Sequence, residues 1–100
     1  SAGYKDAAAV LAGGVLEQHM RSMCVSKGIP LLKSNGKHKM INDMNDELAK
    51  AGAYNALKKK QVTAWADLRN NAAHGNTTAY TISDVESVLR DVSAFCANIS

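Results

Sequence analysis

Apolar residues along this chain recur at spacings of three and four, the period of a helix that turns one face to a core. Over residues 4 to 26, Leu16, Met20, Met23 and Cys24 fall on one stripe, and Ala8, Leu11 and Val15 begin a neighbouring one, which predicts a long first helix. Gly13-Gly14 interrupts that pattern. Glycine inside a helix costs about 1 kcal/mol relative to alanine, so the pair predicts either a kink or the close approach of another segment. Glu17 and Arg21 stand four apart in the favourable order for an ion pair on a helix face. From Lys27 to Lys39 the pattern lapses, and Gly28, Pro30 and Asn35-Gly36 signal turns. Thirteen residues are long for a structureless connection in a compact domain, so function or mobility is expected there.

A short second helix is predicted by Ile41, Met44, Leu48 and Ala51, with Gly52 as its terminator. A third runs from about Asn55 to Ala73, with Leu57, Gln61, Ala64, Trp65, Leu68 and Ala72 as its inner face and Gly75 as its stop. The fourth starts at Thr81 or Ser83. Thr81 with Asp84 resembles a capping box with a Tyr80 to Val85 staple, and Ser83 with Glu86 is an equally good alternative. Val85, Val88, Leu89, Val92, Cys96 and Ile99 then give a clean amphipathic stripe. No stretch of similar length alternates with period two. The pattern predicts an all-α fold: a four-helix antiparallel bundle with one long irregular connection after the first helix. Leu16, Met20, Leu57, Trp65, Leu68, Val85, Leu89 and Val92 are expected to be mostly buried.

Composition sharpens this picture in a few places. One hundred residues bound the chain to a single domain, residues 1–100. Sixteen alanines against fifteen Val, Ile and Thr combined favour helix over sheet. No apolar run approaches the roughly 20 residues that cross a bilayer, and the first residues lack the basic and apolar regions of a signal peptide, so a cytoplasmic protein without a membrane partner is expected. The first residue is not Met, which leaves flanking domains open. Cys24 and Cys96 lie among apolar residues at helical spacing and read as reduced, buried thiols. With His19 and His38 they show no metal-ligand spacing, so no metal is expected.

Net charge is +3, twelve bases against nine acids. From Gln18 to Asn42 there are five bases and no acid, and Lys58-Lys59-Lys60 forms a second cluster. These segments read either as solvated surface or as phosphate-binding surface, with Lys33, Lys37, Lys39, Lys58 and Lys59 as the candidate phosphate contacts.

Polar chemistry gathers at the end of the third helix, Asp67-Leu68-Arg69-Asn70-Asn71-Ala72-Ala73-His74-Gly75. At about 100° per residue Arg69 and His74 point some 140° apart, whereas Asn70 and His74 share a face. Arg69 and His74 could converge if the helix unwinds before Gly75, or if a second copy supplies the missing partner across a two-fold axis. Two structural roles stand beside that reading. Arg69 could pair with Asp67 or a carboxylate of another helix, and His74 could cap the helix C-terminus.

The run Arg69-Asn70-Asn71-Ala72-Ala73-His74 resembles the Arg, four to six residues, His motif of HEPN domains. The resemblance includes the polar residue after the arginine and the glycine after the histidine, and the four-helix layout agrees with it. Many HEPN domains are metal-independent endoribonucleases of toxin-antitoxin, phage-defence and RNA-processing systems, acting as dimers whose motifs line a shared cleft. Others are inactive dimerisation or nucleotide-binding modules. The resemblance implies Arg69, Asn70 and His74 as the catalytic residues, RNA as substrate, a homodimer with the third helices near its axis, no cofactor, and an antitoxin or flanking domain as further partner. Histidine would shuttle protons near pH 7, arginine would stabilise charge building on phosphorus, and Asn70 would orient His74 or hold a phosphate oxygen.

Overall fold

The computed structural model of the protein describes residues 2–97, and within them four helices and no strand: α1 (Ala2–Lys27), α2 (Ile41–Lys50), α3 (Ala56–Ala73) and α4 (Ile82–Ala97). At 1.5 Å per residue α1 is about 39 Å long, which accounts for the 41 Å long axis of the molecule. It packs against each of the other three helices, with α2 against α3 and α3 against α4.

The expected stops operate through one device. Gly28, Gly52 and Gly75 follow α1, α2 and α3 with φ near +75°. After α3, the Gly75 N–H donates to the Ala72 carbonyl (3.3 Å) and the Asn76 N–H to that of Asn71 (2.8 Å). The same pair of bonds closes α2 through Gly52 and Ala53, and α1 through Gly28 and Ile29. These are Schellman motifs, in which a left-handed residue lets the chain turn back onto carbonyls the helix leaves bare. At the start of α4 the two capping alternatives resolve in favour of Thr81. Its N–H donates to Asp84 Oδ2 (2.9 Å) and its Oγ1 accepts from the Asp84 N–H (3.1 Å). Tyr80 and Val85 are buried in one cluster, as a staple requires.

Two faces differ from expectation. On α3 Trp65 and Leu68 are buried as expected, but Val62 and Ala66 join them in place of Leu57, Gln61 and Ala64, and Arg69 turns toward Gly13 of α1. Gln61 and Ala64 are exposed and Leu57 is 66% exposed, because α3 turns the Val62 side to α1. On α1 the core stripe is Ala9, Ala12, Leu16, Met20 and Cys24. Leu11 and Val15 face outward, and Leu89 of α4 is half-buried. Ala51, at the C-cap of α2, is exposed, while Asn45 joins the buried face of that helix. Cys24 is buried and Cys96 half-buried, both free thiols, and burial pushes each thiol pKa up. Ile99 lies outside the described residues.

The connection after α1 is not structureless. Leu32 and His38 form an antiparallel bridge, closed by the Lys33 N–H to the Lys37 carbonyl (2.7 Å) and the Lys39 N–H to that of Leu31 (2.9 Å). Lys39 fastens this small hairpin to the bundle. Its ammonium donates to the Pro30 carbonyl (2.7 Å) and to Glu47 Oε2 (2.5 Å), while Arg21, paired with Glu17 at 2.6 Å, donates to the Lys39 carbonyl (3.3 Å).

Among the described residues no helix is long and apolar enough to cross a membrane.

Candidate functional site

The end of α3 keeps its helix through Ala73. His74 is the C-cap, its N–H donating to the Asn70 carbonyl (3.0 Å), and Gly75 at φ +77° completes the turn. The helix therefore does not unwind early enough to bring Arg69 and His74 together. Within one chain the two side chains leave the helix about 140° apart, and Asn70 stays on the His74 side. His74 and Asn70 are exposed. Asn71 has a local task instead, accepting from Asn76 through both its backbone carbonyl and its Oδ1 (3.3 Å).

Arg69 is placed by a residue distant in sequence. A Cβ built on Gly13 would lie 2.1 Å from Arg69 Cγ and 2.8 Å from its Cβ. The glycine pair thus answers to close approach rather than helix breaking: α1 runs unbroken past it, and the bare backbone at Gly13 is a seat for the arginine stem. Arg69 Nε is fully buried without a partner, and no carboxylate pairs with the guanidinium among the described residues, Asp67 included. One guanidinium N–H is thus enclosed with no acceptor among the described residues, which is uncommon for a buried donor.

The segment after the motif is tied to the start of α1. Lys5 Nζ donates to the carbonyls of Thr77 (2.7 Å) and Tyr80 (3.1 Å) and lies 4.7 Å from the Tyr80 ring centroid. The Tyr80 hydroxyl donates to Asp6 Oδ1. Burial, and then that bond to a carboxylate, push the Tyr80 phenol up to about 12.

The five candidate lysines differ in burial and in pairing. Lys39 is only 7% exposed and engaged by Glu47 and Pro30, so the role given to it with the exposed lysines is replaced by a structural one. Lys33 pairs with Asp43 (3.4 Å), and Asp43 is held below the usual carboxylate range, chiefly by the Met40 N–H. Lys59 pairs with Asp46 (3.2 Å). Lys58 lies over the rings of Trp65 and Phe95, and Lys37 is exposed.

Sequence reading missed a cleft of about 420 Å³ lined by His19, Tyr54, Lys58, Trp65 and Phe95 among others, away from the end of α3. Burial holds the His19 imidazole below its ordinary value. Below the cleft, buried Asn45 donates to the Lys59 carbonyl (2.9 Å) and Thr63 Oγ1 (3.1 Å) and accepts from the Tyr54 hydroxyl (2.7 Å). Burial raises the Tyr54 phenol well above its usual value. The only sequence signal for the cleft is the spacing of Lys58 and Trp65, seven apart on one helix face.

No family model, curated protein or solved structure matches the chain.

Proposed function

We propose that the chain is a metal-independent endoribonuclease of HEPN type, serving a toxin, phage-defence or RNA-processing role. The observation that supports this reading is the unpaired, partly enclosed Arg69 seated on Gly13, one residue before exposed Asn70 and five before exposed His74. The substrate's own 2′-hydroxyl attacks the adjacent phosphorus, so no metal-bound nucleophile is needed. His74 takes the 2′-hydroxyl proton and delivers a proton to the 5′-oxygen as the P–O5′ bond breaks, Arg69 stabilises the charge on the pentacovalent phosphorus, and Asn70 positions the imidazole or a phosphate oxygen. Because Arg69 and His74 diverge on one helix, the arginine of one chain works with the histidine of a second across a two-fold axis.

Arg69→Ala and His74→Ala should each abolish cleavage of RNA in chelator while leaving the helical circular-dichroism spectrum unchanged. General acid-base catalysis alone is worth about a hundred- to ten-thousand-fold. Products should carry a 2′,3′-cyclic phosphate, and DNA should remain intact. Cleavage that survives His74→Ala would overturn the assignment.

A second reading, a non-catalytic HEPN-like module for dimerisation or for nucleotide or RNA binding, is favoured by the apolar outer face of α1, where Leu11, Val15 and Val25 are exposed. A dimer by light scattering that cuts no RNA under any condition selects this second reading.

A further inference from the structure

The cleft at the other half of α3 has no part in the chemistry above. Trp65 precedes His74 by nine residues, about 13 Å along the helix axis. Its volume of about 420 Å³ falls in the range of small-ligand sites, about 300 to 1,000 Å³. The wall is built on Phe95, which His19, Trp65 and Tyr54 meet edge-on with ring centroids 5.3, 5.6 and 5.8 Å away. Edge-to-face packing of this kind fixes ring orientation, so the cavity is formed before anything enters it. Lys27 and Lys58 border it against the single carboxylate of Asp91, leaving the lining with an excess of one positive charge.

Trp65 and Lys58 together give the cleft an aromatic wall beside a cation. Trp65 is only 6% exposed, yet its indole N–H makes no hydrogen bond with any described residue. Nor is that nitrogen among the fully enclosed unpaired atoms, of which Arg69 Nε is the single case among the described residues. An indole N–H can only donate, and because this one keeps accessible surface, water satisfies it in the free chain and a ligand acceptor could take its place. The Lys58 ammonium, 5.8 Å from the Trp65 ring centroid and 5.9 Å from that of Phe95, borders the same space.

We propose that this cleft binds a small aromatic anion, one planar ring system carrying a single carboxylate or phosphate, with the ring against Phe95 and Tyr54 and the anion between Lys58 and the Trp65 N–H. The site does not depend on RNA cleavage.

The chain has one tryptophan, so its fluorescence reads the cleft directly. Titration with nicotinate and with adenosine 5′-monophosphate tests the carboxylate and phosphate forms separately. At least one should change Trp65 emission saturably with a Kd below about 1 mM. The uncharged partners nicotinamide and adenosine should bind about tenfold or more weaker, and Lys58→Gln should cause the same loss for the anion, because a charge-assisted contact is removed. Arg69→Ala should leave binding unchanged, which separates this site from the motif at the end of α3. No saturable change with either anion up to about 10 mM, or equal binding of anions and uncharged partners, or undiminished binding by folded Lys58→Gln protein, overturns the proposal.

Discussion

One methyl group added to α1 at position 13, and the same methyl at position 14, separates what the glycine pair does for the helix from what it does for Arg69. Gly to Ala in a helix interior gains about 0.5 to 1 kcal/mol. At Gly14 a Cβ meets nothing within 4 Å. Gly14→Ala is therefore expected to realise the gain in full, at about 4 to 8 °C of Tm per kcal/mol for a domain of this size. At Gly13 the same atom would stand 2.1 Å from Arg69 Cγ, 2.8 Å from its Cβ and 3.1 Å from its Cδ. Carbon atoms rest at about 3.5 to 4.0 Å, so the Cγ contact must open by about 1.4 Å. Rotating the arginine is not enough, since its Cβ is itself too close, and α1 must also shift from α3. Overpacking of this kind costs about 1 to 3 kcal/mol, the amount by which Gly13→Ala should fall below Gly14→Ala. Urea unfolding followed by circular dichroism and Trp65 emission measures the difference. Combining Gly13→Ala with Arg69→Ala should recover part of the loss, a coupling between residues 56 apart in sequence. On the ribonuclease reading Gly13→Ala also loses cleavage while Gly14→Ala keeps it. Equal stabilisation by the two alanines, or strict additivity with Arg69→Ala, would refute the seat.

Leu16→Ala removes a fully buried side chain from the main core cluster and should cost about 2 to 5 kcal/mol in the same urea assay. Asn45→Ala strips the Tyr54 hydroxyl of its acceptor, and a buried group left unpaired should cost about 1 to 3 kcal/mol, whereas the Lys59 carbonyl keeps the Thr63 hydroxyl as donor. Tyr80 has its pKa raised to about 12 in the folded chain, chiefly by burial, so the fold binds a proton there that the unfolded chain loses near its ordinary value of 10. Stability from this group is complete below pH 10 and is lost as pH rises toward 12; Tyr80→Phe should flatten that part of the alkaline Tm profile, and a profile as steep as the parent's would count against the burial and the Asp6 bond as its source.

Most of the fold could be read from the chain because the signals that set it are local. The Gly28, Gly52 and Gly75 stops, the Thr81 to Asp84 cap and the amphipathic runs of α2 and α4 each need only neighbours within a few residues. The errors fall where a helix meets several partners at once. α3 meets α1, α2 and α4 on different sides, so the spacing within α3 alone did not fix that Val62 rather than Gln61 turns inward. Leu57 follows the same rule: in the first turn of α3 it conforms to the expected period and is exposed all the same. In the α1 to α2 connection the missing information was a partner. Lys39 looks like its neighbours in a basic run, and only Glu47, eight residues on, distinguishes it as an anchor.

The candidate site divides along the same line. Arg69, Asn70 and His74 were legible as a cluster because they share one helix end, and their divergence followed from the helical period without any coordinates. What that cluster could not reveal is why Arg69 remains unpaired. Twelve bases and nine acids supply enough carboxylates to engage most cations, and Lys33, Lys39, Lys59 and Arg21 each take one. Arg69 is lodged against backbone at Gly13, a position that offers no side chain of any kind, and so the fold delivers a guanidinium to the end of α3 with its charge uncompensated from within. A glycine at that point of α1 weakens the helix locally. What the position gains is room for the arginine stem, which lets α1 and α3 approach at a point where any side chain on α1 would hold them apart.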